Sequence, residues 1–300
     1  MDKENKILGP DGQELSSESD TQTPRALERN QEDQEYVSVI LKRSDEGVRH
    51  PDDTLERAIH EGIEQHKRPH LSLFLSAVAA GLILGFAGMC VALISQLFPS
   101  EGNFMVNRLA VALVYPLGFI ICIMSGTQLF TEHTATALYP VLDKKTGLQS
   151  LMILWFVVLG GNLVGTFISS LLIFYSDSVI LGSQGFVDVA HHLIQFSFKE
   201  VFVSAILAGW LMAQGGWLVL ATPAGSSQVI CIFIVTFIIG FGGLHHSIAG
   251  SAEIFSGLFH SENPEYFKSA EFLMSAIIGN LIGGSFFVGV LNYGHIKKTQ

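Results

Sequence analysis

A histidine and a threonine mark polar interruptions in two long apolar runs of this chain. LHHSIAG interrupts the later run with His246 near its centre, and LFTEHTA interrupts the earlier run with Thr131 near its centre. An imidazole has an unperturbed pKa of about 6.5, so it can give a proton to a weak-acid anion and take it back at modest cost. The two residues therefore predict a polar site between apolar walls, at which His246 exchanges a proton and Thr131 faces it.

Both interruptions belong to a repeat. The motif GNLVG contains Asn162, which lies 31 residues after Thr131. The motif GNLIGG contains Asn280, which lies 34 residues after His246. Each half of the chain thus forms a unit of three apolar segments, one of which is interrupted. An odd number of spans puts the second unit upside down in a bilayer, and inverted repeats with broken helices are typical of transporters and channels.

Six apolar segments are each long enough to cross a bilayer, which needs about 20 residues per helix. The second and the fifth are too long for single helices, and they contain the interruptions at residues 125–136 and 242–251. Irregular backbone at this depth is tolerated only where protein or a water-filled cavity satisfies it. We therefore expect an all-α membrane protein with six transmembrane helices, of which the second and the fifth are broken. The predicted spans are residues 71–98, 109–142, 148–175, 196–220, 228–259 and 272–293.

Composition agrees with a membrane protein. Hydrophobic residues make up 49% of the chain, and it contains 30 glycines, as expected where helices pack closely in lipid. Residues 1–70 carry 17 of the 27 acidic and 10 of the 17 basic side chains, so the net charge of −10 comes mainly from this segment and indicates no nucleic-acid partner. Cys90, Cys122 and Cys231 all stand in apolar runs, which favours buried thiols over a disulfide or a metal site. We expect no cofactor and no covalent chemistry.

The segment before the first span divides in two. Residues 1–50 are polar and without periodicity, which predicts a disordered acidic tail. In residues 51–69, Asp52 or Asp53 can cap a helix on which Leu55 and two isoleucines recur at four-residue spacing. This amphipathic helix is expected to lie along the membrane surface or to dock on the membrane domain. The predicted organisation is a tail at 1–50, an interfacial helix at 51–69, a membrane domain at 70–294 and a C-terminal tail at 295–300.

Loop charges predict the orientation. Basic residues concentrate on the cytoplasmic side of membrane proteins, and here one side carries six of them against two on the other. Both termini are therefore expected in the cytoplasm. The six are Lys67, Arg68, Lys144, Lys145, Lys297 and Lys298, and the two are Arg108 and Lys268.

The four motifs together resemble the formate/nitrite transporter family. The resemblance rests on GxxLFT at residues 126–131, GNLVG, HSIAG at residues 246–250 and GNLIGG, in this order and at this spacing. It implies a homopentamer in a bacterial inner membrane, built of aquaporin-like protomers that each have a pore for a small monovalent anion. It also implies that His246 is the central pore histidine, Thr131 the loop threonine facing it and Phe130 a constriction aromatic.

Five positions depart from the family pattern. His245 replaces an acidic residue, Glu132 a small polar residue and Leu193 a basic vestibule residue. Gly209 and Gly250 each replace an asparagine, and the one at Gly209 faces the pore in the family. The chain is thus similar to a divergent branch, whose substrate cannot be taken from the formate or nitrite members. The predicted pore path consists of His246, Thr131, Phe130, Glu132, His245 and Gly209.

Several roles stay open at this stage. Glu132 with His133, and Glu253, either form buried pairs that hold the broken helices or make the path favour protons or cations. His245 either supports the central histidine or packs against neighbouring helices, and the pair His191 and His192 is expected in a vestibule. A non-conducting membrane sensor or scaffold with an acidic tail is the alternative function. A metal oxygenase is disfavoured because residues 71–300, which contain the spans, have two HH doublets and no HxxxH box.

Overall fold

The helix that precedes the membrane domain packs against it. The computed structural model describes residues 50–299, so the tail predicted at 1–50 lies outside the described residues except for His50. Helix α1 (Pro51–Lys67) is capped by His50, whose side chain accepts from the Asp52 amide, rather than by Asp52 or Asp53 as predicted. Proline at the first helical position needs no amide partner there, which favours this start.

Twelve further helices follow α1 in the described part of the chain. They are α2 (His70–Leu97), α3 (Phe104–Val114), α4 (Pro116–Met124), α5 (Phe130–Leu142), α6 (Leu148–Tyr175), α7 (Asp177–Ile180), α8 (Ser183–Ile194), α9 (Phe198–Ala221), α10 (Ser226–Gly242), α11 (Ser247–His260), α12 (Tyr266–Ile282) and α13 (Leu291–Thr299), with a π-helical segment (Gly283–Val290) between the last two.

The predicted six-span, all-α architecture is confirmed. Five helical stretches are long and apolar enough to cross a membrane: α2, α3 with α4, α6, α9, and α12 continued to Lys297. The sixth span is the pair α10 and α11, which is bent by 55° at its break. The second span is broken as well, because α5 begins only after residues 125–129. The last span begins at Tyr266, six residues before its predicted start, and residues 295–299 continue it as helix rather than tail.

Both breaks are shorter than predicted. They cover residues 125–129 and 243–246, so Thr131 lies in the first turn of α5 and not in a loop. Each break begins with a glycine in the left-handed backbone region, Gly126 at φ 66° and Gly243 at φ 60°. Side chains other than glycine rarely adopt this conformation, so these two glycines allow the chain to leave one half-helix and start the next.

The inverted repeat is visible in the helix contacts. Gly81 of α2 lies against the Asn162 carbonyl, where an added Cβ would come within 2.2 Å of the oxygen. Gly209 of α9 lies against the Asn280 carbonyl at the same 2.2 Å. GNLVG and GNLIGG therefore serve helix packing, because small residues let α2 approach α6 and α9 approach α12.

Helix α1 is docked by apolar contacts and by two hydrogen bonds. Leu55 and Ile59 are buried in a cluster with Tyr139 of α5 and residues of α9 and α13. His66 Nε2 donates to the Ala137 carbonyl at 2.9 Å, and its Nδ1 lies 2.7 Å from Ser150 Oγ, which donates to it. Of the two predicted arrangements, the helix adopts the docked one.

Candidate functional site

The two broken spans meet at a single side-chain contact. Thr131 Oγ1 lies 2.6 Å from His246 Nε2, and both side chains are buried at 0% and 2% exposure. His246 is also the N-cap of α11, because its Nδ1 accepts from the Ala249 amide at 3.1 Å. Since Nδ1 accepts, the neutral ring carries its hydrogen on Nε2 and donates it to the Thr131 hydroxyl.

An asparagine holds the start of each half-helix. Asn162 Oδ1 accepts from the Phe130 amide at 2.8 Å, at the first residue of α5. Its Nδ2 donates to the carbonyls of Gln128 at 2.9 Å and Ala77 at 2.8 Å. One buried side chain therefore satisfies an amide and a carbonyl of the break, and it gives a second hydrogen bond to a carbonyl within α2.

The second asparagine repeats this pattern. Asn280 Oδ1 accepts from the Ser247 amide at 2.7 Å, and its Nδ2 donates to the carbonyls of His245 at 3.0 Å and Ala205 at 2.8 Å. The hydrogen bonds thus match Phe130 with Ser247. By this register the repeat equivalent of His246 is Leu129, and Thr131 contacts His246 across the junction without being its equivalent.

A large cavity of about 910 Å³ opens on one side of this contact. It extends from the loop after α2 and from helix α8 down to His246, Gly250 and Glu253 of the second broken span. Basic side chains from three parts of the chain line it, namely Arg108, Lys268, His191 and His192. The predicted vestibule position of the two histidines is therefore confirmed. Burial and the Arg108 charge both hold the pKa of His192 below its usual range.

A smaller cavity of about 160 Å³ lies on the other side. Gln128, Glu132 and Thr136 of the first broken span line it, together with Arg57 and Glu61 of α1. The large cavity involves the loop at the C-terminal end of α2, whereas the small one involves the C-terminal end of α9. These two ends face opposite ways in the six-span topology, so the cavities approach the Thr131 contact from opposite ends of the bundle.

Aromatic and aliphatic side chains fill the space around the contact. Phe119 makes an edge contact with the His246 ring, with centroids 5.1 Å apart. Phe130, the predicted constriction aromatic, is buried in the same apolar cluster as Phe119, Leu129 and Ile248. Neither phenylalanine lines either cavity. The polar pair therefore lies within an apolar barrier between two water-accessible cavities.

Glu132 lines the small cavity without a close partner. It is buried against Gly216 of α9, and its Oε2 makes no hydrogen bond within residues 50–299. His133 Nδ1 lies 3.9 Å from that oxygen, but it donates instead to the Leu129 carbonyl at 3.1 Å. The Glu132 and His133 side chains thus lie within ion-pair distance without a hydrogen bond, so both interpretations of Glu132 stay open.

His245 both packs and lines a cavity. Its ring lies between Phe196 and Phe272, with centroids 5.3 Å and 5.6 Å away. Its Nδ1 is buried without a hydrogen bond in the described part of the chain, and the residue faces the large cavity. It makes no hydrogen bond to His246 among those that residues 50–299 form.

Gly209 does not lie on the pore path, although the resemblance implied that it would. It is buried at the contact of α9 with Asn280, and it lines neither cavity. Its repeat equivalent is Gly81, which has the same packing role on Asn162. A side chain at this position would collide with the α12 backbone, so we assign Gly209 to helix packing.

Two features of the site were not recognised in the sequence. The hydrogen-bonding role of Asn162 and Asn280 was not predicted, although their repetition was itself a signal of it. Arg57 and Glu61 reach the small cavity only because α1 docks there. The role of Glu253 was left open between a buried pair and the path, and in the structure this residue lines the same large cavity as His246.

Comparison with known proteins agrees with this architecture. The family model described as "Formate/nitrite transporter" matches residues 52–294. The inner membrane protein YfdC of Escherichia coli (strain K12) is 33% identical over 256 residues, which cover 81% of this chain and 79% of that protein.

Two solved structures share the fold. A structure described as an FNT family ion channel has a TM-score of 0.74 at 21% identity, over 83% of this chain and 99% of that one. A pentameric formate channel with formate bound has a TM-score of 0.64 at 19% identity, over 77% and 98% of the two chains. Together with the sequence matches, these findings show that the chain belongs to the formate/nitrite transporter family.

Proposed function

We propose that this chain is a channel or transporter that moves a small monovalent anion, or its conjugate weak acid, across a bacterial inner membrane. The observation that supports this most strongly is the Thr131–His246 contact, which stands between two cavities at opposite ends of the bundle. Family membership supports the transport class, and the name of the E. coli relative supports the inner membrane. No enzymatic activity is proposed.

The apolar barrier favours a neutral permeating species. A bare charge at the centre of a membrane costs several kcal/mol or more, and Phe119, Phe130 and Leu129 offer no compensation. The half-helices α5 and α11 point their N-terminal ends at the junction, where their dipoles attract an approaching anion. An anion that gains a proton at the junction crosses as the neutral acid.

His246 is the proposed proton-exchanging residue. Its Nδ1 holds the cap of α11, so a second proton on the ring displaces the Ala249 amide. The imidazolium then gives one proton to the anion, which leaves the neutral ring and the neutral acid. On the far side the acid loses that proton again. Thr131, as the hydrogen-bond partner of Nε2, orients the ring.

One experiment tests transport and mechanism together. Proteoliposome uptake of formate, acetate, lactate, nitrite, chloride and hydrosulfide is measured with current at about pH 5 and pH 8. His246→Asn retains a side-chain acceptor for the Ala249 amide, so it should assemble but lose the pH dependence of uptake. Thr131→Ala should lower uptake with the pH profile kept, and Thr131→Ser should restore it. An unchanged pH profile in His246→Asn would make the histidine structural.

Two further outcomes bear on the same proposal. A parent protein that moves none of these solutes would support the alternative of a non-conducting sensor or scaffold. We also propose a homopentamer, because the formate channel of similar fold is pentameric. Native mass spectrometry in mild detergent should show five copies, and a stable monomer or dimer would contradict this.

A further inference from the structure

A second buried carboxylate faces the path on the side opposite Glu132. Glu253 of α11 is only 7% exposed and lines the large cavity together with His246 and Gly250. Its Cγ lies 3.5 Å from the position of a Cβ on Gly88 of α2, so the side chain stands between α2 and α11. Within residues 50–299, no hydrogen bond or ion pair involves its carboxylate.

The repeat explains why the two carboxylates face different cavities. The asparagine hydrogen bonds match Gln128 with His245, and the same register matches Thr136 with Glu253. Gln128 and Thr136 line the small cavity, whereas His245 and Glu253 line the large one. Equivalent faces of α5 and α11 therefore form the walls of their own cavities, and each face carries one buried carboxylate.

Their position and burial constrain what these carboxylates do. An ionised carboxylate without a partner is costly away from water, and such groups reduce the cost by binding a proton. An ionised carboxylate on a cavity wall also repels an incoming anion. A protonated one instead offers a hydrogen-bond donor and a transferable proton.

Resting on the proposed function, we propose that Glu253 and Glu132 are matched proton-binding residues, one for each cavity. In the large cavity the protonated Glu253 supplies its proton to the His246 ring, and the imidazolium gives it to the permeating anion, which leaves a carboxylate, the neutral ring and the neutral acid. The acid passes the Thr131–His246 contact, and Glu132, after it has released its own proton to the small cavity, accepts the proton of the acid. The reverse direction uses the same steps. The substrate class is therefore a weak acid, and the anions of strong acids, such as nitrate, are excluded.

Other charged groups share these cavities. Around Glu132 they are His133 of its own helix with Arg57 and Glu61 of α1. Around Glu253 the deep titratable neighbours are Tyr115, His245 and His246. The large cavity also holds Arg108, His191, His192, Lys268, Glu101, Asp188 and Glu265. Of these, Glu265 is paired with Lys268 at 2.5 Å, unlike the deep Glu253.

The test compares Glu253→Gln and Glu132→Gln with Glu265→Gln, a paired carboxylate of the same large cavity. Formate uptake and nitrate current are measured in proteoliposomes at about pH 5 and pH 8. In the parent, formate uptake should rise at the lower pH and nitrate should carry no current. Each buried Gln variant should lose that rise and gain nitrate current, whereas Glu265→Gln should match the parent. Glu253→Asp should retain the parent pattern, which separates loss of the carboxylate from misfolding.

Infrared spectroscopy supplies a readout that does not depend on transport. The parent should show a protonated carboxyl band that is weakened in each buried Gln variant. Gln variants that keep the formate pH profile, the nitrate exclusion and the infrared band would overturn the inference while leaving the proposed function intact. A parent that moves none of the six solutes of the uptake panel but shows the band would instead overturn the proposed function alone, because the residues would still bind protons.

Discussion

At the scale of single residues, two asparagines determine where the broken helices begin. Asn162 and Asn280 each bind one amide and two carbonyls, in the same order along the chain. The amides of Phe130 and Ser247 are the first of their half-helices and have no partner within the helix. The position of Thr131 against His246 therefore depends on side chains that contact neither of them.

Replacing either asparagine should destabilise the protein strongly. Asn162→Ala and Asn280→Ala each leave one amide and one carbonyl of a break without a partner, at about 1–3 kcal/mol for each group. We expect a clear fall in melting temperature in mild detergent for both variants. Asn263→Ala, at an exposed loop position, is the matched control and should melt like the parent. Buried variants that melt like this control would show that water replaces the asparagine side chain.

The sequence predicted the Thr131–His246 contact but not its register. The apolar pattern locates a break to within several residues, and it carries no information on which side chain caps a helix end. Leu129 is the equivalent of His246, yet its apolar side chain hides the relation in the sequence. Gly209 was misassigned for a similar reason, since a glycine does not reveal whether it faces a cavity or a neighbouring backbone.

At the scale of elements, the docking of α1 depends on the close approach of Gly62 to α5. An added Cβ at Gly62 would lie 2.3 Å from the Thr136 carbonyl oxygen and 2.7 Å from Pro140 Cγ of α5. The amphipathic pattern predicted this helix, and it left open whether membrane or protein covers the apolar face. The answer depends on Gly62 and His66, whose contacts lie far away in the sequence.

Gly62→Ala should detach α1 from α5. The added methyl group must displace backbone, which costs more than the small gain in helix propensity from alanine. Proteolysis within residues 51–67 should become faster, and melting temperature should fall. Gly160→Ala on α6 is the control, because nothing lies within 4 Å of the added Cβ there. Equal protease resistance in the two variants would contradict the docked arrangement.

A charged cluster ties the α5–α6 loop to the last helix. Asp143 accepts from Tyr293 at 3.0 Å and lies 3.1 Å from Lys145 Nζ and 3.6 Å from Lys297 Nζ. Burial raises the pKa of Asp143. Hydrogen bonds from Lys145 and Tyr293 and the charges of Lys145 and Lys297 lower it by more than burial raises it, so the net pKa lies below the usual range. A carboxylate with a depressed pKa stabilises the fold above its unfolded pKa and loses this effect as pH falls through the folded value.

Asp143→Asn should therefore act in a pH-dependent way. The variant should melt below the parent at about pH 7, where the parent carboxylate is ionised. The difference should shrink once the pH falls below the unfolded value of about 3.9, and it should disappear only below the depressed folded pKa, where Asp143 takes up a proton in the folded parent too. Melting curves across this range measure the effect. An equal difference in melting temperature at about pH 7 and at the lowest pH would indicate a steric cause.

At the scale of the whole molecule, the positions of the basic residues and the topology together predict which side of the membrane each cavity faces. Arg108 and Lys268 line the large cavity, whereas Lys67, Lys145 and Lys297 lie at the opposite ends of the spans. If basic residues concentrate on the cytoplasmic side, the large cavity opens to the outside and the small one to the cytoplasm. Glu253 would then meet external solutes and Glu132 internal ones. The sequence contains the charge asymmetry, but only the fold connects it to particular cavities.

Cysteine labelling in intact cells decides this orientation. Glu101→Cys stands in the exposed loop beside the large cavity, and Gly147→Cys stands in the exposed loop between α5 and α6. A membrane-impermeant maleimide should label the first variant directly and the second only after the membrane is permeabilised. The parent gives the background, because Cys90, Cys122 and Cys231 all lie within the spans. The opposite pattern would put both termini outside and reverse the cavities, so that Glu132 and not Glu253 would face the external solute.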